Sequence, residues 1–327
     1  MEGSMYKLLK TCVLATLIAC VTSSVAMSVE EKMKDTAASV SLVEQYSEVI
    51  GVPKETLLVP SIDALRFIVS KHVERIPYQN FGIFYDKKAS DLSVEALIHR
   101  LLIQKEGGAC YETSELLFNV LNSVGYDVKR IAAFPLNNKP FNPRIPSSHN
   151  VLLVKIEGRS LLVDVGYGIN SVRFPILFGF SETEEQEVFT NEKYQLVCAP
   201  DYYQLNLQIK GEWASLYRFD RPLKFIDLAQ TTQNFQSMFA CSEMLPIRDI
   251  YVKSSILTPD GRIGFYVEPN RGMSSAYKFI DYKGEVSKEF YKTSQELVED
   301  IFKTTGLKAP GAMLAIEPGK DDETDHK

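Results

Sequence analysis

Cys110, His149 and Asp164 are the side chains whose types and order suit covalent acyl chemistry. Cys110 follows Gly107-Gly108-Ala109 and precedes an apolar stripe at helical spacing: Leu116, Leu117, Val120, Leu121 and Val124. This pattern puts the sulfur in the first turn of a helix, where unpaired N–H groups and the helix dipole favour a thiolate. A thiolate attacks an acyl carbon and forms a thioester. An imidazole takes the thiol proton and later assists the second nucleophile. A carboxylate behind the imidazole fixes its tautomer and favours its protonated form. Backbone N–H groups at the helix start are a natural oxyanion hole. Taken singly, each residue has a plainer reading: an inert buried thiol beside a tight turn, a histidine entering a strand, an aspartate facing water at a strand end.

The pairing of His149 with Asp164 follows from strand geometry. Val151 to Ile156 and Leu161 to Val165 read as a hairpin around Glu157-Gly158. If Ile156 faces Arg159, Asp164 stands opposite Val151. His149, two residues away, then projects on the same face. Such diagonal neighbours have Cα atoms roughly 7–8 Å apart, a distance that an aspartate and an imidazole bridge. An odd loop or a bulge would spoil the match. Asp164 also lies among Leu162, Val163 and Val165, where an unpaired carboxylate is costly. His72 and His99 read as helix positions, and His326 lies in the tail.

These residues need elements to hold them. From about Ser28 to Asn122 the pattern is mainly helical. Val40, Val43, Tyr46 and Ile50 recur at helical spacing, Ser61 opens a second helix carrying Leu65, Ile68, Val69 and Val73, and Ser93 caps a third. Gly125 is placed to end the Cys110 helix. Strand patterns follow at Val128 to Phe134, Glu192 to Ala199, Tyr203 to Ile209 and Trp213 to Phe219. Leu228 to Met238 reads as a polar interruption. Strand-like runs at Tyr251 to Leu257, Gly264 to Val267 and Tyr277 to Ile280 precede a helix from Ser294 to Thr304. Helices and strands in separate runs argue for an α+β fold. The expected division is a leader over 1–26, a helical bundle with the nucleophile over 28–125, a β block with His149 and Asp164 over 126–227, a smaller α/β block over 228–316, and a disordered tail over 317–327.

With 45% hydrophobic and 24% charged residues, the composition is that of a globular protein. A net charge of -6 and the lack of a basic run argue against nucleic acid as a partner. Scattered cysteines argue against zinc, and no Walker-type phosphate loop is present. Lys7 and Lys10 precede an apolar stretch from Thr11 to Val21, and Ser24-Val25-Ala26 offers small residues at signal-peptidase spacing. Leu17-Ile18-Ala19-Cys20 also resembles a lipobox, so the only membrane attachment expected is through a lipidated Cys20. Of the body cysteines, Cys198 and Cys241 either pair, leaving Cys110 free, or remain buried thiols.

The motifs together resemble the arylamine N-acetyltransferase family. Gly107-Gly108-Ala109-Cys110-Tyr111-Glu112 resembles its R-G-G-x-C-x-E nucleophile motif. Ser148 to Val154 resembles its histidine strand, and Leu162-Val163-Asp164-Val165-Gly166-Tyr167-Gly168 its D-V-G-F-G segment. Arg75-Ile76-Pro77-Tyr78-Gln79-Asn80 resembles I-P-F-E-N, and Leu216 to Asp220 a further stretch. The resemblance covers about residues 40 to 280. It implies an N-terminal helical bundle, a central antiparallel β-barrel and a C-terminal α/β lid around a cysteine-proteinase-like core. It also implies ping-pong transfer from acetyl-CoA to an arylamine, hydrazine or related amine through a thioester, with no metal. Tyr78 and Tyr167 fall where the family has pocket aromatics; core packing explains them equally well.

Two positions depart from the family. Glu106 stands where it has arginine, and Gln79 where it usually has glutamate. A Gln79–Glu106 hydrogen bond would keep the brace. A carboxylate there opposes thiolate formation and predicts a less reactive thiol. The leader implies export (periplasmic, lipid-anchored or secreted), whereas a family member without one is ordinarily cytoplasmic. Export would deprive the enzyme of acetyl-CoA. The competing readings are therefore an exported thiol amidase, acyl hydrolase or amide synthase with another donor, and a non-catalytic binding protein on the same fold.

Overall fold

A computed structural model describes residues 41–179, 182–189 and 192–318. The leader over 1–26, with Cys12 and Cys20, and the tail from residue 319 lie outside the described residues. The fold is α+β, with a nearly closed antiparallel barrel, as expected.

Residues 41–50 are helical. Helix α1 (Ile62–Arg75) starts at Ser61, whose hydroxyl accepts the Ala64 N–H at 3.1 Å. Its predicted stripe is buried. Pro77 then stops the helix, because the residue before a proline is driven out of the helical region; Ile76 is extended. Helix α2 (Val94–Leu97) begins at the Ser93 cap but widens into a π-helix over Ile98–Ile103, which the periodicity did not foretell. Helix α3 (Cys110–Ser123) ends before Gly125, which takes the left-handed φ of 95°.

The segment expected to be all helical also contributes a strand. β1 (Tyr78–Gln79) leaves the helices and pairs with the C-terminal sheet. The middle of the chain holds β2 (Asp127–Pro135), β3 (His149–Ile156), β4 (Arg159–Val163), β5 (Ile176–Phe178), β6 (Glu184–Phe189), β7 (Glu192–Cys198), β8 (Tyr202–Ile209), β9 (Glu212–Asp220) and β10 (Phe225–Ile226). Their antiparallel order is β5-β4-β3-β2-β9-β8-β7-β6, with β10 against β2. The two ends are joined by one side chain. The Gln186 amide on β6 donates to Leu177 O and accepts from Leu177 N on β5, both at 2.8 Å. Val151, Leu153, Leu162, Leu205 and Phe219 fill the interior, each contributing roughly 1.5–3 kcal/mol by burial.

The polar interruption is in fact helix α4 (Leu228–Ala240). Asp227 caps it, accepting the Gln230 N–H at 2.8 Å, and Thr231, Phe235 and Met238 form its buried stripe. Beyond it, β11 (Val252–Thr258), β12 (Gly261–Val267), β13 (Tyr277–Tyr282) and β14 (Glu285–Phe290) form a sheet in the order β1-β11-β12-β13-β14. Helix α5 (Ser294–Thr305) packs Leu297 and Ile301 with Phe265 and Val267 of that sheet. Among the described residues, no helix is long and apolar enough to cross a membrane.

Candidate active site

Cys110 is the first residue of α3 and is buried. The two glycines before it answer to two close approaches. Gly107 has φ +64°, and a Cβ there would lie 2.5 Å from Pro77 O. Gly108 bridges Tyr78 in parallel fashion, its N–H donating to Pro77 O at 3.2 Å. The chain brought close by the glycines is thus the start of β1. Glu112, in the first turn, accepts the Ala109 N–H at 2.7 Å and completes the helix cap.

Three bonds lace α3 to the entrance of β3. The Tyr111 hydroxyl donates to Ser147 O at 2.7 Å, the Cys110 thiol to Ser148 O at 3.6 Å, and the Ser114 hydroxyl to Asn150 O at 2.9 Å. His149 is thereby set on the wall of the cavity that Cys110 also lines.

The hairpin register is the one expected. Ile156 pairs with Arg159 and Leu152 with Val163, around Glu157-Gly158, both in the left-handed region. Asp164 falls just past the end of β4 rather than inside it. His149 Nε2–H donates to Asp164 Oδ2 at 2.9 Å, which leaves Nδ1 as the ring nitrogen for the thiol. Asp164 Oδ1 accepts the Gly166 N–H at 3.0 Å. Burial opposes a charged imidazole here, but the Asp164 carboxylate and then Cys110 outweigh it and raise His149 to about 10. All three predicted catalytic residues are therefore together and shielded from water.

The ring of Tyr167 meets His149 edge-on, with centroids 4.9 Å apart, and its hydroxyl donates to Leu216 O. Tyr78 and Tyr167 both line a cavity of about 130 Å³ that Cys110 and His149 share. Sequence reasoning missed three further residues. Tyr217 lies 5.0 Å from the His149 ring and 5.3 Å from the Tyr167 ring, so the three rings cluster; burial and then the Asp164 carboxylate push its phenol well upward. Asn80 pins the wall of the cavity: its amide donates to Ile247 O at 2.6 Å and Tyr251 O at 2.7 Å, and its oxygen accepts the Lys253 N–H at 2.7 Å. Lys253 itself lines the cavity. Asn80 and Tyr217 stood inside recognisable motifs, but nothing marked them as contacts.

The expected Gln79–Glu106 side-chain bond is not formed. Gln79 Nε2 instead donates to the backbone O of Glu106 at 3.3 Å. The Glu106 carboxylate turns outward, 44% exposed, to Arg100 at 3.1 Å. Arg100 also holds the buried Glu112 at 2.6 Å. A guanidinium thus stands beside Glu106 after all, delivered by the π-helix six positions earlier. No disulfide joins Cys198 and Cys241; the Cys198 sulfur accepts from the Arg221 guanidinium at 3.1 Å. Among the described residues, no group of three or more His, Cys, Asp or Glu is placed to hold a metal ion.

The N-acetyltransferase family model matches residues 61–305, and the chain belongs to that family. It is 34% identical to the arylamine N-acetyltransferase of Mycolicibacterium smegmatis over 173 residues, 52% of this chain and 62% of that protein. The stretch shared with that relative thus spans somewhat under two thirds of its length. Similarity to arylamine N-acetyltransferase 2 of Mus musculus is lower, 24%, but runs over 80% of this chain and 92% of that one. The structure of Mycobacterium marinum arylamine N-acetyltransferase in complex with CoA shares the fold, with a TM-score of 0.70 at 23% identity over 81% of this chain and 93% of that one.

Proposed function

We propose that this chain transfers an acetyl group from acetyl-CoA to an arylamine, hydrazine or related amine, in two half-reactions joined by a Cys110 thioester. The observation that carries this reading is the buried His149, bonded to Asp164 at 2.9 Å on one side and facing Cys110 on the other.

In the first half-reaction, the Cys110 sulfur, its proton already held by His149, attacks the thioester carbonyl. The C–S bond to CoA breaks, and the imidazolium proton goes to the departing thiolate. In the second, neutral His149 takes a proton from the attacking amine while its nitrogen bonds to the acetyl carbon. The Cys110–carbon bond breaks and returns the thiolate. Ala109 N–H is spent on Glu112, so the amides of Cys110 and Tyr111 are the donors for the oxyanion. Tyr78 and Tyr167 form the wall against which the acceptor ring lies.

Intact mass spectrometry tests this. Acetyl-CoA should leave one acetyl on Cys110, an arylamine should remove it as the amide, and Cys110→Ala should carry none. Absence of any adduct on the native thiol would sink the reading. Adducts formed only from other esters or amides, and lost to water, would replace it with a thiol hydrolase. A second reading, favoured by the charge and apolarity of residues 7–26, is export with an acyl donor other than acetyl-CoA; the N-terminal residue of protein recovered from fractionated cells decides between the two.

A further inference from the structure

Lys253 projects from β11 into the wall of the reaction cavity. Lys253 is half-buried, and among the described residues no carboxylate forms an ion pair with its ammonium. Its nearest electrostatic company is two aromatic faces, Tyr251 at 5.2 Å and Tyr266 at 5.6 Å. A half-buried cation on a cavity wall with no counter-ion gains from any anion that enters and displaces water from it. Burial lowers Lys253 only to about 8, so it still carries its charge at neutral pH.

The sheet places this charge in line with the nucleophile. Lys253 pairs across strands with Tyr266, and Ser255 with Gly264 on one side and Tyr78 on the other. Residues 253 and 255 share a face. Tyr78 in turn bridges the backbone of Gly108, two residues before Cys110. The row from the sulfur therefore runs Cys110, Tyr78, Ser255, Lys253, with the last step roughly 7 Å along the strand. Ser255 is buried and its hydroxyl has no protein partner. Gly264 opposite it leaves room that Ile169 and the Tyr266 ring fill. Asn80 bonds both the N–H and the C=O of Lys253, at 2.7 and 3.3 Å, so the backbone carrying the ammonium is fixed in advance.

We infer that Lys253, aided by the Ser255 hydroxyl, binds a carboxylate carried by the small substrate that reacts at Cys110. The inference rests on the acyl-transfer reading for the identity of the reacting atom. The phosphates of CoA do not fit the role, because the pantetheine arm holds them far from the thioester. The carboxylate belongs either to the amine acceptor or to the transferred acyl group.

Equilibrium binding of 4-aminobenzoate and of its neutral counterpart 4-aminobenzamide, by calorimetry, tests the acceptor source without turnover. The rates of Cys110 acylation by malonyl-CoA and acetyl-CoA test the acyl source. A charged hydrogen bond of this kind is expected to favour the anion about tenfold or more in one arm. Lys253→Met should erase that preference and Lys253→Arg should keep it. The arm that shows the effect names the source. Equal treatment of anion and neutral partner by the native protein in both arms overturns the inference, whether or not Lys253→Met folds, and reduces Lys253 to a cation packed on aromatic rings. Failure of Cys110 to acylate at all would instead strike the acyl-transfer reading and leave the binding comparison standing.

Discussion

A Cβ placed on Gly166 would lie 2.6 Å from the Cα of Cys110 and 2.9 Å from its Cβ. The turn after Asp164 therefore rests directly on the backbone of the nucleophile. Asp164 uses one oxygen for His149 and the other for the Gly166 N–H, so one carboxylate sets both the base and the spacing to the sulfur.

Gly166→Ala must push that turn off α3, since the obstacle is backbone and cannot rotate away. The expected cost is about 1–3 kcal/mol of stability. Shifting the base by a fraction of an ångström should also lower kcat/KM roughly 100-fold. Urea titration and single-turnover acylation read the two effects. A Gly166→Ala protein with native kinetics would show that the contact does not set the geometry.

Asp164→Asn tests the charge itself. The native imidazole is raised from 6.5 to about 10, so it holds its proton more tightly folded than unfolded. That stabilisation is fully present below pH 6.5 and is lost as pH rises toward 10. The native protein should thus lose stability over that window, and Asp164→Asn should show a flatter profile. Turnover at neutral pH should fall about 10³- to 10⁴-fold from loss of the ring's tautomer and orientation. Melting temperatures from pH 6 to 10 on both proteins would decide; parallel curves would reject the pairing.

His72 predicts the opposite limb. It is buried beside Tyr46, whose hydroxyl meets Nδ1 at 2.9 Å, and burial lowers it to about 3. The unfolded chain takes up a proton below pH 6.5 that the native histidine refuses, so stability is present above 6.5 and falls on acidification. Between pH 6.5 and 4 the loss should be about 3 kcal/mol. His72→Gln, which keeps an acceptor for Tyr46, should remove most of that slope in urea titrations. An unchanged acid limb would assign it to other groups.

Much of the site was legible because its logic is local. A two-residue turn at Glu157-Gly158 fixes which residues face each other, and that alone brings His149 to Asp164. Gly-Gly followed by an apolar stripe placed Cys110 at a helix start. What stayed hidden depends on contacts remote in sequence. Lys253 and Asn80 meet only because β1 crosses to a sheet formed by residues far downstream. Strand β6 is rich in glutamate and earns its place through the Gln186 clasp on β5. Helix α4 was overlooked although Asp227, Thr231, Phe235 and Met238 carry a cap and a stripe, because its glutamines and threonines masked the period.

The same lesson applies to Arg100, which the sequence showed only as one more residue of a helix. The widened turn over Ile98–Ile103 carries its guanidinium to Glu106 and to Glu112, whose side chain is only 6% exposed and caps the nucleophile helix. Breaking a buried ion pair leaves a charge stranded, at a cost of about 3–5 kcal/mol. Arg100→Met should approach that cost and slow acylation of Cys110, because the uncompensated Glu112 sits two residues from the sulfur. Glu106→Gln removes only the exposed arm, 44% in solvent, and should cost under about 1 kcal/mol. Adding Glu112→Gln to Arg100→Met removes the stranded charge and should restore part of the lost stability. Denaturation midpoints for the two single variants and the double mutant measure this ordering. If Arg100→Met were as mild as Glu106→Gln, the guanidinium would not be what steadies the first turn of α3.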